Sequence, residues 1–571
     1  MTVATSPRAV VLAMSVMVRH VSDDPVRAMT LGWRALPAPL RGWLRLAGPY
    51  GKAAALWGSG DRRAALRSLE RRPARLAAFS LAMDQPQVAR SALARLPEGS
   101  AARPVLAARL AYREGRLDDA VRELEGAPGG RAGRLRRTLL AEIEMLEPGA
   151  LKPGKPQTRI PNGSPRLTSA RPLHIVTDGL PSTSAGYTVR TQEIALAQRA
   201  AGMDPHVTTR IGFPVTAGRI DGRDLVSVDG IPYHRLLPWV MPGRMDTIAR
   251  TGLKHASRLV SDLRPSVLHA ASNYQNALIA IALRETYQIP YVYEVRGFWE
   301  DTWLSRHAAT ANLESSDRYV RSRALETHCM TTADLVVTLG EAMRDEITGR
   351  GVPADKVIIV PNGVSGEFLK PLPSGAELRA RLGIGDGEFV VGLVSSLVAH
   401  EGIGTLLEAV QILRDRGMPA RALIVGDGPE RASLQRRAAE LGLDAIFTGR
   451  VPMAEVRSYH AVLDAFVVPR TPDRVCQLVT PLKPVEAMAS GLPVVVSGVR
   501  ALGEIITDEE TGMWFPPLDA AALADRLQRL HGDPELRRSL GKNARAWVAH
   551  DRTWEHNAAR YRDAYSRLGT T

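Results

Sequence analysis

At 571 residues the chain is too long for one core of ordinary size, and two or three domains are expected. Its 45% apolar and 23% charged residues exclude a disordered, collagen-like or low-complexity protein, and two cysteines, Cys329 and Cys476, exclude a disulfide framework and fit a reducing cytoplasm. The formal charge of +14 is carried entirely by residues 1–170, which hold 28 Lys and Arg against 14 Asp and Glu, whereas the other 401 residues are balanced. Such asymmetry fits either an anionic partner, such as a membrane surface, or a solvated Arg-rich helical face.

The first periodic segment, Ala9 to Val18, is a ten-residue apolar stretch that ends at Arg19 and His20. It lacks the cleavage site of a secretory signal and reads as an amphipathic or buried helix. No window reaches the roughly 18 apolar residues of a membrane span, so membrane association is expected to be peripheral, at the cytoplasmic face. From Arg41 to Leu146 apolar residues recur at helical spacing, for example Leu66, Leu69, Leu76 and Phe79. The segments Gly60-Asp-Arg-Arg-Ala-Ala-Leu and Gly115-Arg-Leu-Asp-Asp-Ala-Val are two copies of one helix start and resemble degenerate tetratricopeptide-type hairpins. A helical region over 1–147 is therefore expected. Five prolines, three glycines and four basic residues with no acidic one mark 148–170 as a linker.

Short β-rich runs then alternate with helical stretches: Leu173–Thr177, His206–Thr209, Val267–Ala271, Tyr291–Val295, Leu335–Leu339 and Lys356–Val360. The alternation restarts with Phe389–Val394, Ala422–Gly426, Ala445–Thr448, Ala465–Val468, Pro493–Ser497 and Gly512–Phe515. Continuous apolar strands joined by helices predict parallel sheets covered on both faces, hence two doubly wound α/β domains, 171–360 and 361–571. Ligands of such sheets bind at the carboxyl ends of the strands, so two facing domains imply a cleft site.

The first predicted strand leads into Asp178-Gly-Leu-Pro-Ser-Thr-Ser-Ala-Gly186-Tyr-Thr-Val-Arg190, a small-residue loop opening a helix. Amides near Gly186 suit an anion, although a plain structural turn fits equally well. No G-x-G-x-x-G fingerprint is present: Gly426-Asp-Gly-Pro-Glu430 lacks its third glycine.

Four pieces occur in order in the last third: Pro361-Asn-Gly-Val364, Gly426-Asp-Gly-Pro-Glu430, Phe447-Thr-Gly-Arg-Val451 and Glu486-Ala-Met-Ala-Ser-Gly-Leu-Pro-Val-Val495. Together they resemble glycosyltransferase family 4, retaining nucleotide-sugar enzymes of GT-B fold, over about residues 171–565. The resemblance implies an α/β GT-B architecture of two Rossmann-like domains facing a cleft, preceded here by the helical region, with the last helix a candidate to return to the first α/β domain. It implies that Glu486 accepts hydrogen bonds from the nucleotide ribose, that the backbone at Arg450 and Val451 meets the nucleobase edge, and that Ser396 and Thr480 lie with the donor-binding residues.

Departures from the family pattern sharpen the expectation. Leu478 replaces the family's first glutamate, and Ser396 and Glu401 replace the arginine and lysine that neutralise the donor diphosphate. A diphosphate in a cleft still needs cations. Arg470, after one predicted strand, and Lys483, one of only eight lysines, are the substitutes. In the first α/β domain, His269 stands in a reduced H-x-H strand end and Arg296 takes the place of a histidine; both are assigned to catalysis, against an internal ion-pair network as the bland alternative. The reading is a retaining glycosyltransferase that uses a nucleoside diphosphate sugar without cofactor or metal and acts on a glycan or lipid-linked acceptor, in surface polysaccharide or glycolipid synthesis. No nucleic-acid partner is expected. The rival is a non-catalytic scaffold whose transferase domains are degenerate and whose helical module binds a partner.

Overall fold

The computed structural model describes residues 6–24, 26–29, 48–127, 130–155, 169–307 and 313–569, so most of the predicted linker lies outside the described residues. The first helix, Pro7–Asp23, is started by the Ser6 hydroxyl, which accepts from the Ala9 amide, and by Pro7 in the first turn, where its missing N–H costs nothing. Helices Gly48–Gly58, Arg62–Arg67, Pro73–Ala82, Pro86–Ala94, Arg103–Arg113, Leu117–Arg122 and Gly130–Met145 come next, with Leu69, Leu76, Phe79 and Leu106 among the residues of their shared core. This helical module is fused to the first α/β domain. Leu117, Met145, Leu146 and Leu151 enter that domain's core, and the Asp317 carboxylate accepts from the Leu117 and Asp118 amides at 2.8 and 2.7 Å.

The first α/β domain is an eight-stranded sheet built from β1 (Pro172–Val176), β2 (His206–Thr209), β3 (Leu225–Val228), β4 (Ile231–His234), β5 (Val267–Ala271), β6 (Tyr291–Glu294), β7 (Leu335–Thr338) and β8 (Val357–Ile359). Its order is β3-β4-β2-β1-β5-β6-β7-β8, parallel except for the edge hairpin β3–β4. That hairpin is absent from the sequence expectation. It turns on Asp229-Gly230, both with positive φ (49° and 83°), the Asp-Gly pair that two-residue hairpins favour.

The second sheet has β9 (Phe389–Val394), β10 (Ala420–Val425), β11 (Ile446–Gly449), β12 (Ala465–Val468), β13 (Val494–Ser497) and β14 (Met513–Phe515), all parallel in the order β11-β10-β9-β12-β13-β14. Each sheet reverses its strand order at its first strand, β1 or β9, and the carboxyl edge beside such a reversal is where ligands of open sheets bind. The doubly wound α/β architecture is the predicted one.

Two features join the halves. The final helix, Trp554–Arg567, packs Trp554, Ala558, Tyr561 and Tyr565 into the core of the first domain beside Val267, Val292 and Val337. The short helix Arg474–Leu478 crosses the other way. Leu478 is buried in the first domain's core, and Arg474 pairs with Asp301 (3.1 Å) and Glu346 (2.7 Å). The position of the family's first glutamate is thus an apolar strut between domains.

Candidate active site

On the second domain the site grows from three loops at the carboxyl edge. The β9 loop, 395–402, lies against the β10 loop so closely that a Cβ at Gly426, whose φ is 138°, would collide with the Ser395 carbonyl. At its far end stands Glu401, buried. From β12 the chain runs through Pro469 to Arg470, whose Nη1 donates to the Val479 carbonyl at 2.9 Å and whose Nη2 donates to Glu401 Oε1 at 3.1 Å. Lys483 begins the next helix, Lys483–Ala489, and its Nζ donates to Ser395 Oγ at 2.5 Å and Glu401 Oε1 at 2.9 Å.

The sequence-predicted cations therefore do meet, on one carboxylate that sequence reasoning had counted only as a missing lysine. Burial pushes the Glu401 carboxyl up, but Lys483 and then Arg470 outweigh it and hold the group far below the usual range, so it stays ionised. Arg470 is nearly enclosed. Lys483 keeps 27% of its side chain exposed, and two of its three N–H donors have partners among the described residues.

The other residues singled out from the sequence lie on neighbouring loops and on the helix that Lys483 begins. Thr480 is buried, its hydroxyl without a hydrogen-bond partner among the described residues, and its carbonyl accepts from Asn362 Nδ2 at 2.9 Å. Ser396 and Arg450 are exposed and Val451 is half-buried, on the loops after β9 and β11. Glu486, one turn beyond Lys483, is half-buried; no hydrogen bond to its carboxylate is found among the described residues. Burial drives its carboxyl up to about 7, against the pull of Lys483 and with help from Glu193 of the first domain. Glu193 itself is raised to about 7 by burial, Glu555 and Asp229.

These two groups set a pH test. A folded-state value above the ordinary 4.5 means the native state binds protons more tightly than the unfolded chain, so their contribution to stability grows as pH falls from about 7 towards 4.5. Denaturant midpoints of the ligand-free protein are expected to show this component and to lose it in Glu193→Gln/Glu486→Gln. Identical pH profiles for the two proteins would refute it.

In the first domain the predicted residues converge on Glu294, at the end of β6 and fully buried. Arg190 pairs with it at 2.7 Å, Arg296 at 2.7 Å and His269 Nε2 at 3.1 Å, and the Tyr561 hydroxyl donates to it at 3.1 Å. Burial raises its carboxyl, but Arg296, Arg190 and His269 bring it well below the usual range. His269 has no exposed surface, since its other nitrogen meets the Tyr565 hydroxyl at 2.7 Å and burial holds its pKa down. A cleft ligand reaches it only through neighbours. Arg296 Nη1 donates to the Tyr187 carbonyl (2.9 Å) and Thr191 Oγ1 (2.7 Å), which clamps the first turn of helix Gly186–Ala200 and fixes the exposed Gly186 loop beside it.

Arg190 carries the network across the domain boundary. It donates to the carbonyls of Val360 (2.8 Å) and Pro361 (3.1 Å) and to Asn362 Oδ1 (3.1 Å), and Asn362 in turn holds Thr480, three residues before Lys483. Sequence reading missed Glu401, Ser395 and Asn362 as organisers. The swap of a glutamate for the family's lysine together with a new lysine at 483 is the signal from which their pairing is legible.

A model described as Glycosyl transferase 4-like domain matches residues 185–363, and one described as Glycosyl transferases group 1 matches 375–547, one for each sheet. The GDP-mannose-dependent alpha-(1-6)-phosphatidylinositol monomannoside mannosyltransferase of Mycolicibacterium smegmatis is 31% identical over 239 residues, 41% of this chain and 62% of that protein. The sulfoquinovosyl transferase SQD2 of Arabidopsis thaliana is 27% identical over 298 residues, 50% of this chain and 54% of its own. The chain thus spans little more than half to three-fifths of these relatives. Sucrose-phosphate synthase from Thermosynechococcus elongatus superimposes on 70% of this chain and 99% of its own with a TM-score of 0.57 and 22% identity, a likeness of fold. With both halves of the fold matched, and the two models together covering more than half of its residues, the chain belongs to glycosyltransferase family 4, of GT-B architecture.

Proposed function

We propose that the protein transfers a sugar, with retention of configuration, from a nucleoside diphosphate donor held by the second α/β domain to an acceptor held by the first. The observation that carries this reading is the part-exposed Lys483 ammonium, fixed between Ser395 and Glu401 at the carboxyl edge with its third donor unpaired among the described residues. Negative charge grows on the diphosphate as the glycosidic bond breaks, so a cation fixed in advance stabilises the transition state more than the ground state. Arg470 acts through Glu401, holding the carboxylate that holds the lysine, and Glu486 is the ribose acceptor.

A donor of this class is supported by the family and by the GDP-mannose dependence in the name of the mycobacterial relative. Retention follows from the family resemblance. A role in surface polysaccharide or glycolipid synthesis is in keeping with the phosphatidylinositol mannoside named as substrate of the same relative.

A thermal-shift panel of nucleoside diphosphate sugars tests the donor, since a ligand at 100 times its dissociation constant stabilises by about 2.7 kcal/mol. Transfer by the purified protein, with the product anomer assigned by NMR, tests the reaction, and a panel with neither stabilisation nor turnover favours the scaffold reading. Glu486→Ala is expected to weaken nucleotide binding by about 1.5–3 kcal/mol, the usual worth of a hydrogen bond to a charged group. Calorimetry that finds unchanged affinity in the folded variant removes Glu486 from the ribose.

A further inference from the structure

The first helix, Pro7–Asp23, is apolar on both sides. Its inner face, Ala9 and Leu12 with Ala13 and Val16 beside them, packs on Val215, Leu237 and Met241 in the loops after β2 and β4. Polar ties fix its orientation: Arg8 reaches Asp224 at 2.6 Å, Ser15 Oγ accepts from the Met241 amide at 3.1 Å, and Arg19 Nη1 donates to the Pro242 carbonyl at 2.8 Å. The outer face carries Val11, Met14, Met17, Val18 and Val21, between 40% and 68% exposed and spaced as one stripe of a helix. Trp239 (61%) and Val240 (59%) stand beside it, brought there by the Met241 and Pro242 bonds. A helix docked by one face ordinarily turns charge to water. Seven large exposed apolar side chains on one rim mark a surface that has a further partner.

Charge selects that partner. Helix Met245–Leu263 begins four residues after Met241, against which the first helix packs, and it carries Arg250, Lys254 and Arg258; the pKa of its His255 is lowered by burial and by Arg258, Lys254 and Arg8, against Asp224. A groove along that helix is lined by Lys152, Lys155, Arg250, Lys254 and Arg258 and, among the described residues, by no acidic one, although Arg250 is paired with Asp246 on its own helix. It gathers three of the chain's eight lysines. An apolar stripe carrying a tryptophan and edged by cations is complementary to an anionic bilayer: side chains enter the acyl boundary while ammonium groups meet the headgroup phosphates. Among the described residues no helix is long and apolar enough to cross a membrane, so the contact is interfacial.

We propose that helix Pro7–Asp23, with Trp239 and Val240, is a membrane-docking edge that lies in the interface of an anionic lipid bilayer. The loops beneath it leave the carboxyl ends of β2 and β4, the edge on which the cleft opens, so docking there presents the cleft to an acceptor anchored in the same bilayer. That consequence rests on the transferase reading; the docking itself does not.

Vesicle sedimentation of the full chain tests the edge. Binding is expected to vesicles of equal parts phosphatidylglycerol and phosphatidylcholine and to be weak on phosphatidylcholine alone. Salt is expected to remove only part of it, because charges are screened and the inserted stripe is not. Met17→Asp/Val18→Asp is expected to lower binding by about tenfold or more, as polar groups replace inserted apolar ones. The milder Met14→Ser/Met17→Ser moves it in the same direction, and Lys254→Glu/Arg258→Glu flattens the salt dependence. Unchanged circular-dichroism melts establish that the variants are folded. Vesicle binding absent in wild type, or equal in wild type and the aspartate variant, overturns the proposal, as does a dimer of the native chain that the aspartate variant dissociates without changing vesicle binding. Donor turnover on a soluble acceptor is expected to be the same in wild type and the aspartate variant; turnover absent from both, with vesicle binding intact, overturns the transferase reading alone.

Discussion

Glu294→Ala is expected to be the most destabilising single substitution in the first α/β domain, at about 3–5 kcal/mol, the cost of leaving a buried charge without its partner. The substitution removes the one anion that Arg190 and Arg296 share, so two enclosed guanidinium groups are left repelling each other, and His269 and Tyr561 lose a partner as well. Against a typical domain stability of about 5–15 kcal/mol this is a large fraction. Urea denaturation followed by circular dichroism measures it, and a loss below about 1 kcal/mol would show that the cluster relaxes freely, contrary to its burial. The same carboxylate sets an acid limit. Because its folded value is depressed, its contribution is present above the ordinary glutamate value of 4.5 and is lost as the pH falls through the folded value.

Lys483→Ala is expected to lower kcat by about 10²- to 10³-fold with little change in KM, the loss found when one preorganised donor to a developing anion is removed. Its ammonium is the part of the Glu401 group open to a ligand, and alanine leaves Glu401 facing the leaving diphosphate, a repulsion added to the lost attraction. Arg470→Ala is expected to lower kcat as well, but by a different route: the Val479 carbonyl and Glu401 lose their tether, and the melting temperature falls with the rate. Steady-state kinetics beside melting curves separate the two. Wild-type turnover in both variants would place the diphosphate elsewhere.

What could be read from the sequence depends on the range of the forces involved. Strands such as β9 and β13 are continuous apolar runs because both faces of a parallel sheet are covered, and that pattern is local. The β3–β4 hairpin escaped because an edge pair has only half its residues buried, Leu225 outward and Val226 inward, so no apolar run marks it; only Asp229-Gly230 does. At the site, Arg470 and Lys483 were legible as unusual cations near strand ends. Their common partner was not, because Glu401 lies 69 and 82 residues away and its sign, taken alone, argues against a phosphate site. Likewise His269 and Arg296 were found by motif position, whereas the enclosure that makes them partners of Glu294 comes from Tyr561, 267 residues after Glu294, and Tyr565, 296 residues after His269.

The return of the last helix has a consequence for how the chain is made. Synthesis is vectorial, and domains generally fold as their residues emerge, N-terminal first. Here the first Rossmann-like sheet is finished by Trp554, Tyr561 and Tyr565, which are made only after the whole of the second sheet. Until then Val267, Val292 and Val337 lack part of their cover and the Glu294 cluster lacks both tyrosines, so the acceptor half waits, partly open, while the entire donor half is made and folds. The order of maturation is thus inverted relative to the order of the sequence, and a chain cut short before Trp554 keeps exposed apolar surface of the kind chaperones bind.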